Sequence, residues 1–191
     1  MINNGKAALV AAALITMMSC AQKNETQTDS RYIGPSDIKV DDGRMTPEVL
    51  LSLGRLSDPQ LSPDGRWILY GVSYTSIEEN RSCRNLFLTE VTKNENGGFA
   101  FGDKVQLTAE GKSVSNARWS NDGKSIYYLQ GGQIFNSAIK IAGGKASLSD
   151  RKQISDIEAG IGEFSLSPDQ TQVLYTSTIP GAVKTPKDFD E

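Results

Sequence analysis

The chain contains no histidine in 191 residues. Without imidazole there is no histidine general base, no histidine ligand for zinc and no histidine proton switch. Serine–histidine–aspartate hydrolysis therefore cannot be assembled from these residues alone. Cysteine is nearly as scarce, with Cys20 and Cys83 the only two. A thiolate metal cage within one chain is excluded, and an internal disulfide is open only if Cys20 stays a free thiol. No cofactor or metal site is expected. Charge of neither sign dominates, with 20 Lys and Arg against 23 Asp and Glu and a net charge of −3. There is no basic cluster, and aromatics do not alternate with basic residues, so no nucleic acid is expected as a partner. Long hydrophobic runs are missing too. The stretch Ala7–Ile15 is nine residues, well short of the roughly 20 needed to cross a bilayer.

What that short apolar stretch does resemble is an export signal. Lys6 supplies a positive n-region, Ala7–Ile15 an apolar h-region, and Ser19 a small residue directly before Cys20. The pattern reads as a bacterial lipoprotein signal over residues 1–19, to be removed and set apart from the fold. Cys20 is then the lipidation site, and more than one acyl chain would anchor the product stably to a membrane. The expected location is the bacterial cell envelope, as a periplasmic or outer-membrane lipoprotein. The alternative is an ordinary cleaved signal with an incidental cysteine. Residues 20–44 are polar without apolar periodicity and read as a flexible tether.

Beyond the tether the chain repeats a phrase. Leu61-Ser62-Pro63-Asp64-Gly65 precedes Trp67-Ile68-Leu69-Tyr70, and Trp119-Ser120-Asn121-Asp122-Gly123 precedes Ile126-Tyr127-Tyr128-Leu129. Leu166-Ser167-Pro168-Asp169-Gln170 precedes Val173-Leu174-Tyr175. The starts lie 58 and then 47 residues apart, the spacing of a β-propeller blade. Each phrase supplies a tight turn between a short strand and an aromatic-rich one. The expected fold is all-β, an incomplete propeller of about two and a half four-stranded blades over residues 45–191. The blades are placed near 57–108, 115–155 and 161–178. In the first, strands are expected at 57–62, 66–72, 85–91 and 104–108, with a polar loop from Ser76 to Arg84. An antiparallel sandwich is the competing fold. A short helix should open the folded part, capped by Thr46, with Pro47 in its first turn, an apolar stripe of Val49, Leu50, Leu51 and Leu53, and Gly54 at C′.

The segment Met45-Thr46-Pro47-Glu48, followed by Leu56-Ser57-Asp58-Pro59-Gln60-Leu61-Ser62-Pro63-Asp64-Gly65-Arg66-Trp67-Ile68-Leu69-Tyr70, resembles the start of the propeller domain in prolyl oligopeptidase family serine peptidases. The likeness is to the exported dipeptidyl and acylaminoacyl peptidase branch and covers residues 45–180. It implies further blades and a C-terminal α/β-hydrolase domain that carries the catalytic residues and acts on peptides, with the propeller gating access. No Gly-x-Ser-x-Gly elbow is present here, so no catalytic residue carries over. On that reading the chain is truncated before its catalytic domain and inactive alone, its missing partners being the C-terminal blades and the hydrolase domain.

Two smaller features remain. Glu78-Glu79 sits in the polar loop, where some dipeptidyl peptidases place a pair that grips a substrate's amino terminus. The surrounding residues do not match that motif, and a solvated loop is the reading adopted. Cys83 in the same loop is either a spare thiol or the partner of a cysteine in a longer parent chain. Two other functions stay open: a lipid-anchored binding propeller like that of the Tol system, without activity, and a non-functional truncated product. An isolated part of a ring should also expose apolar surface and unpaired strand edges near Val173–Tyr175.

Overall fold

The structure is a computed structural model and describes residues 32–40 and 42–178. The signal segment, Cys20 and residues 179–191 lie outside the described residues. The described chain is all-β apart from one short helix, α1 (Pro47–Ser52). Thr46 caps it, its hydroxyl accepting the Val49 N–H at 3.3 Å. The expected C-terminal glycine cap does not form. Leu53 leaves the helix in an extended conformation, and Gly54 is absent from the positive-φ glycines. Gly54 is needed for another reason, since a Cβ there would lie 2.7 Å from the Tyr74 ring. The apolar stripe is also narrower than expected. Only Val49 is buried, whereas Leu50 and Leu53 are about half exposed, because a six-residue helix presents one full turn to its neighbour.

Three antiparallel sheets follow in series. The first contains β1 (Arg55–Leu61), β2 (Trp67–Ser76), β3 (Arg81–Lys93), β4 (Phe99–Phe101) and β5 (Val105–Gln106). The second runs β6 (Val114–Trp119), β7 (Ser125–Gln130), β8 (Gln133–Ala142) and β9 (Lys145–Gln153) in simple meander order. The third is the hairpin of β10 (Phe164–Leu166) and β11 (Val173–Tyr175). Serial short-strand sheets, each opened by the same turn, make an incomplete propeller-like all-β fold.

The first sheet differs from the four-stranded expectation in two ways. β3 begins at Arg81 rather than Asn85, so the polar loop shrinks to the hairpin turn at 77–80. The residues past the Gly/Asn-rich turn first pair back onto β3, Phe101 opposite Val91 and Phe99 opposite Lys93. Only then does the two-residue β5 take the edge of β3, at Phe87 and Leu88. β3 is long enough, at 13 residues, to hold two short partners end to end.

Period-two alternation sorts the side chains. On β3, Leu86 and Leu88 join Leu69, Val114, Ala117, Trp119, Ile126, Tyr128 and Ile139 in the core between the first two sheets. Cys83 and Phe87 point the other way, into a cluster with Ile33, Val72 and Tyr74. The tether therefore does not extend unbroken to residue 44, since Ile33 is buried and the Tyr32 hydroxyl donates to Gln106 Oε1 at 3.2 Å. A third cluster, Leu129, Ile134, Ile161 and Phe164, joins the second sheet to the third. Each fully buried aliphatic side chain contributes about 1.5–3 kcal/mol by leaving water.

Candidate functional site

The repeated turn recurs in atomic detail. Ser62 donates its hydroxyl to Asp64 Oδ1 at 2.6 Å, and Ser120–Asp122 and Ser167–Asp169 do the same at the same distance. The backbone N–H groups of Arg66, Lys124 and Thr171 donate to those carboxylates at 3.2, 3.0 and 3.2 Å. The three serine oxygens in turn accept the N–H groups of Trp67, Ser125 and Gln172, each at 2.9 Å. The serine hydroxyls first, then the N–H groups, and at Asp169 the Thr171 hydroxyl ahead of its N–H, hold all three carboxyls below the usual aspartate range. These aspartates are structural: each closes its own turn.

A second repeat lies one strand back. β1 and β6 each carry a register shift, between Ser57 and Gln60 and between Ser115 and Arg118. The residues at these bulges, Asp58 and Asn116, sit in the left-handed region with φ of 53° and 50°. A bulge re-aims a side chain, and both are turned toward the next sheet. Asp58 accepts from Arg118 Nη1 of the second sheet at 3.0 and 2.9 Å. Asn116 Nδ2 donates to the Phe164 carbonyl of the third at 2.8 Å. The opening strands of successive sheets are thus clasped by one polar residue each.

These clasps border a cavity of about 470 Å³, whose walls include Asp58, Arg84, Asn116, Arg118, Glu163 and Tyr175. Arg84 is on the same face of β3 as Leu86 and reaches across β2 toward Asp58. It can do so because Gly71 lies beneath it: a Cβ at that position would stand 2.2 Å from Arg84 Nε. Its Nη2 is 4.0 Å from Asp58 Oδ2, an ion pair without a hydrogen bond. Arg84 Nε is buried with no hydrogen-bond partner. Sequence reading passed over Arg84 and Arg118, because single arginines in strands carry no motif. The one available signal was a glycine inside the otherwise β-branched and aromatic strand β2.

The residues singled out from the sequence lie elsewhere. Glu78 and Glu79 occupy the turn between β2 and β3, and Glu79 pairs with Arg81 at 2.8 Å. They border a separate cavity of about 410 Å³ with Tyr32 and Ile33. Cys83 is not in a loop; it is a fully buried free thiol on β3, packed against Ile33 and Phe87. Among the described residues no three histidine, cysteine, aspartate or glutamate side chains converge on a metal position.

No protein-family model matches the chain. Curated relatives do. The chain is 33% identical over 135 residues to dipeptidyl-peptidase 5 of Porphyromonas endodontalis, a match covering 71% of this chain and 18% of that protein. It is 34% identical over 137 residues to dipeptidyl-peptidase 5 of Porphyromonas gingivalis, again 71% of this chain and 18% of the relative. It is 25% identical over 138 residues to the peptidase YuxL of Bacillus subtilis, covering 71% of this chain and 19% of that one. The chain spans less than a fifth of the length of these relatives. Over that stretch it is related to a family of peptidases.

Proposed function

We propose that these residues form the opening part of a propeller in an exported, lipid-anchored serine peptidase of the prolyl oligopeptidase family, of dipeptidyl type. The observation that carries the reading is the identity of one-third to two dipeptidyl-peptidases over most of this chain, in a segment built as consecutive sheets clasped edge to edge. In the longer protein further sheets complete a ring, and a separate hydrolase domain supplies the serine nucleophile and its histidine and aspartate partners. Acyl transfer there hydrolyses peptides. The part described here contributes no reacting group, consistent with its lack of histidine. Its work is to scaffold that domain and limit which peptide ends reach it. Cys20 holds the assembly at the envelope membrane.

An antibody against residues 45–178, applied to envelope fractions, tests this. The expected band is several-fold larger than the 20.7 kDa of these residues, is labelled by a fluorophosphonate serine-hydrolase probe, and leaves the membrane fraction in the Cys20→Ser variant. An unlabelled band near 20.7 kDa overturns the peptidase reading. A large band that the probe does not label also overturns it, in favour of a binding propeller.

A further inference from the structure

We infer that the cavity between the opening strands is a carboxylate-binding site, with Arg84 as its principal donor and Arg118 beside it. That a peptide C-terminus supplies the carboxylate rests on the peptidase reading. The argument begins with an imbalance. One carboxylate, Asp58, serves two guanidinium groups. It takes two hydrogen bonds from Arg118 Nη1 and stands 4.0 Å from Arg84 Nη2. Arg118 is therefore held through Nη1, which also donates to the Ala117 carbonyl at 2.7 Å. The Arg84 side chain is four-fifths buried, at 20% exposure, yet its guanidinium makes no hydrogen bond among the described residues, and its Nε is orphaned.

Leaving a buried charged donor unmade costs more than the same group would cost at the surface. The Arg84 Nε is sealed against Gly71, so the edge a ligand can reach is that of the two Nη groups, whose fixed plane matches a carboxylate. The cavity, about 470 Å³, has room for a peptide end. Asp58 and Glu163 are the opposing charges on the walls, and Asp58 is already engaged by both arginines. Glu163 is exposed and forms no ion pair among the described residues, so solvent screens its repulsion of an anion.

The test uses the isotope-labelled 191-residue chain, held below the concentration at which it self-associates, and follows the Arg84 Nε–Hε resonance. The probes are acetyl-dialanine, its C-terminal amide and inorganic phosphate. The free acid is expected to shift that resonance saturably, with the amide weaker by about tenfold or more, the size of one charged hydrogen bond. Arg84→Gln should lose binding by a similar factor, read from the remaining cavity resonances. Gly71→Ala should lose it too, because the methyl displaces the guanidinium while its charge stays. Arg84→Lys, which keeps the charge but not the fork, covers the case in which Arg84→Gln does not fold, and should bind at an intermediate level. Equal shifts from acid and amide overturn the site. Undiminished binding in Gly71→Ala or Arg84→Lys overturns the role of Arg84, and phosphate binding as tightly as the acid overturns the carboxylate assignment. A failure here leaves fluorophosphonate labelling of the longer protein untouched, so the two readings fall separately.

Discussion

Gln170 shows how a single residue can depart from a repeat and gain by it. Its counterparts Gly65 and Gly123 sit at φ of 72° and 68°, and Gln170 holds 56°. The left-handed conformation costs a non-glycine residue about 1–2 kcal/mol. What offsets that cost is the side chain. Gln170 Nε2 donates to the Trp119 carbonyl at 2.9 Å, and its Oε1 accepts the Asn121 N–H at 3.0 Å. The turns of the second and third sheets are tied together there, helped by Asn121 Nδ2 on the Pro168 carbonyl at 2.7 Å. Gln170→Ala keeps the strain and loses both bonds, whereas Gln170→Gly loses the bonds and the strain together. We expect Gln170→Ala to be less stable than Gln170→Gly by about 1 kcal/mol, measured by urea unfolding. Equal midpoints would show that the backbone at 170 is unstrained. From sequence this residue reads only as an imperfect third copy of the turn, because its bonding partners lie about 50 positions away.

At the scale of elements, the Ser-x-Asp turns make the fold sensitive to acid. Their three carboxyls have lowered pKa values in the folded chain, while an unfolded aspartate titrates near 3.9. The unfolded chain therefore takes up protons first as the pH falls. The stabilisation from these turns is complete above the unfolded value and is lost as the pH drops through the folded one. Stability should fall on acidification below about pH 4. The double variant Ser62→Ala, Ser120→Ala should flatten that limb, since the serine hydroxyls are the largest cause of the shifts. Urea midpoints between pH 3 and 6 decide it: parallel profiles for both proteins would remove the turns as the cause. These turns were legible in the sequence because every bond in them spans five residues or fewer. β4 was not. Phe99–Phe101 pairs with β3 only because β3 runs past its hairpin partner β2, to Lys93, and strand length is decided by neighbours.

At the scale of the molecule, the three sheets differ in how well they are covered. The first two share the largest core, and the third rests on the second through Ile161 and Phe164. Among the described residues β11 pairs only with β10, and Leu174 is 78% exposed with Val173 and Tyr175 beside it. An apolar strand with a free edge is a template for another strand. The isolated chain should self-associate as its concentration rises, and Leu174→Lys should suppress this, as read by light scattering. Undiminished association in Leu174→Lys would place the sticky surface elsewhere, with the exposed Phe99 and Phe101 next in line.

Local chemistry alone determined the all-β class, the helix cap at Thr46 and the three turns, because strand patterning and short-range hydrogen bonds are written in neighbouring residues. The likeness of the opening segment to a peptidase family was legible for the same reason, as a contiguous string. Only the tertiary structure decided that Cys83 is core rather than loop, that Ile33 docks onto the first sheet, and that Asp58, Arg84 and Arg118 share one cavity. Those positions are brought together by sheet register, by a left-handed bulge and by the open space over Gly71. Apart from the glycine inside β2, none of these leaves a signature in the order of the residues, since each depends on which strand packs against which.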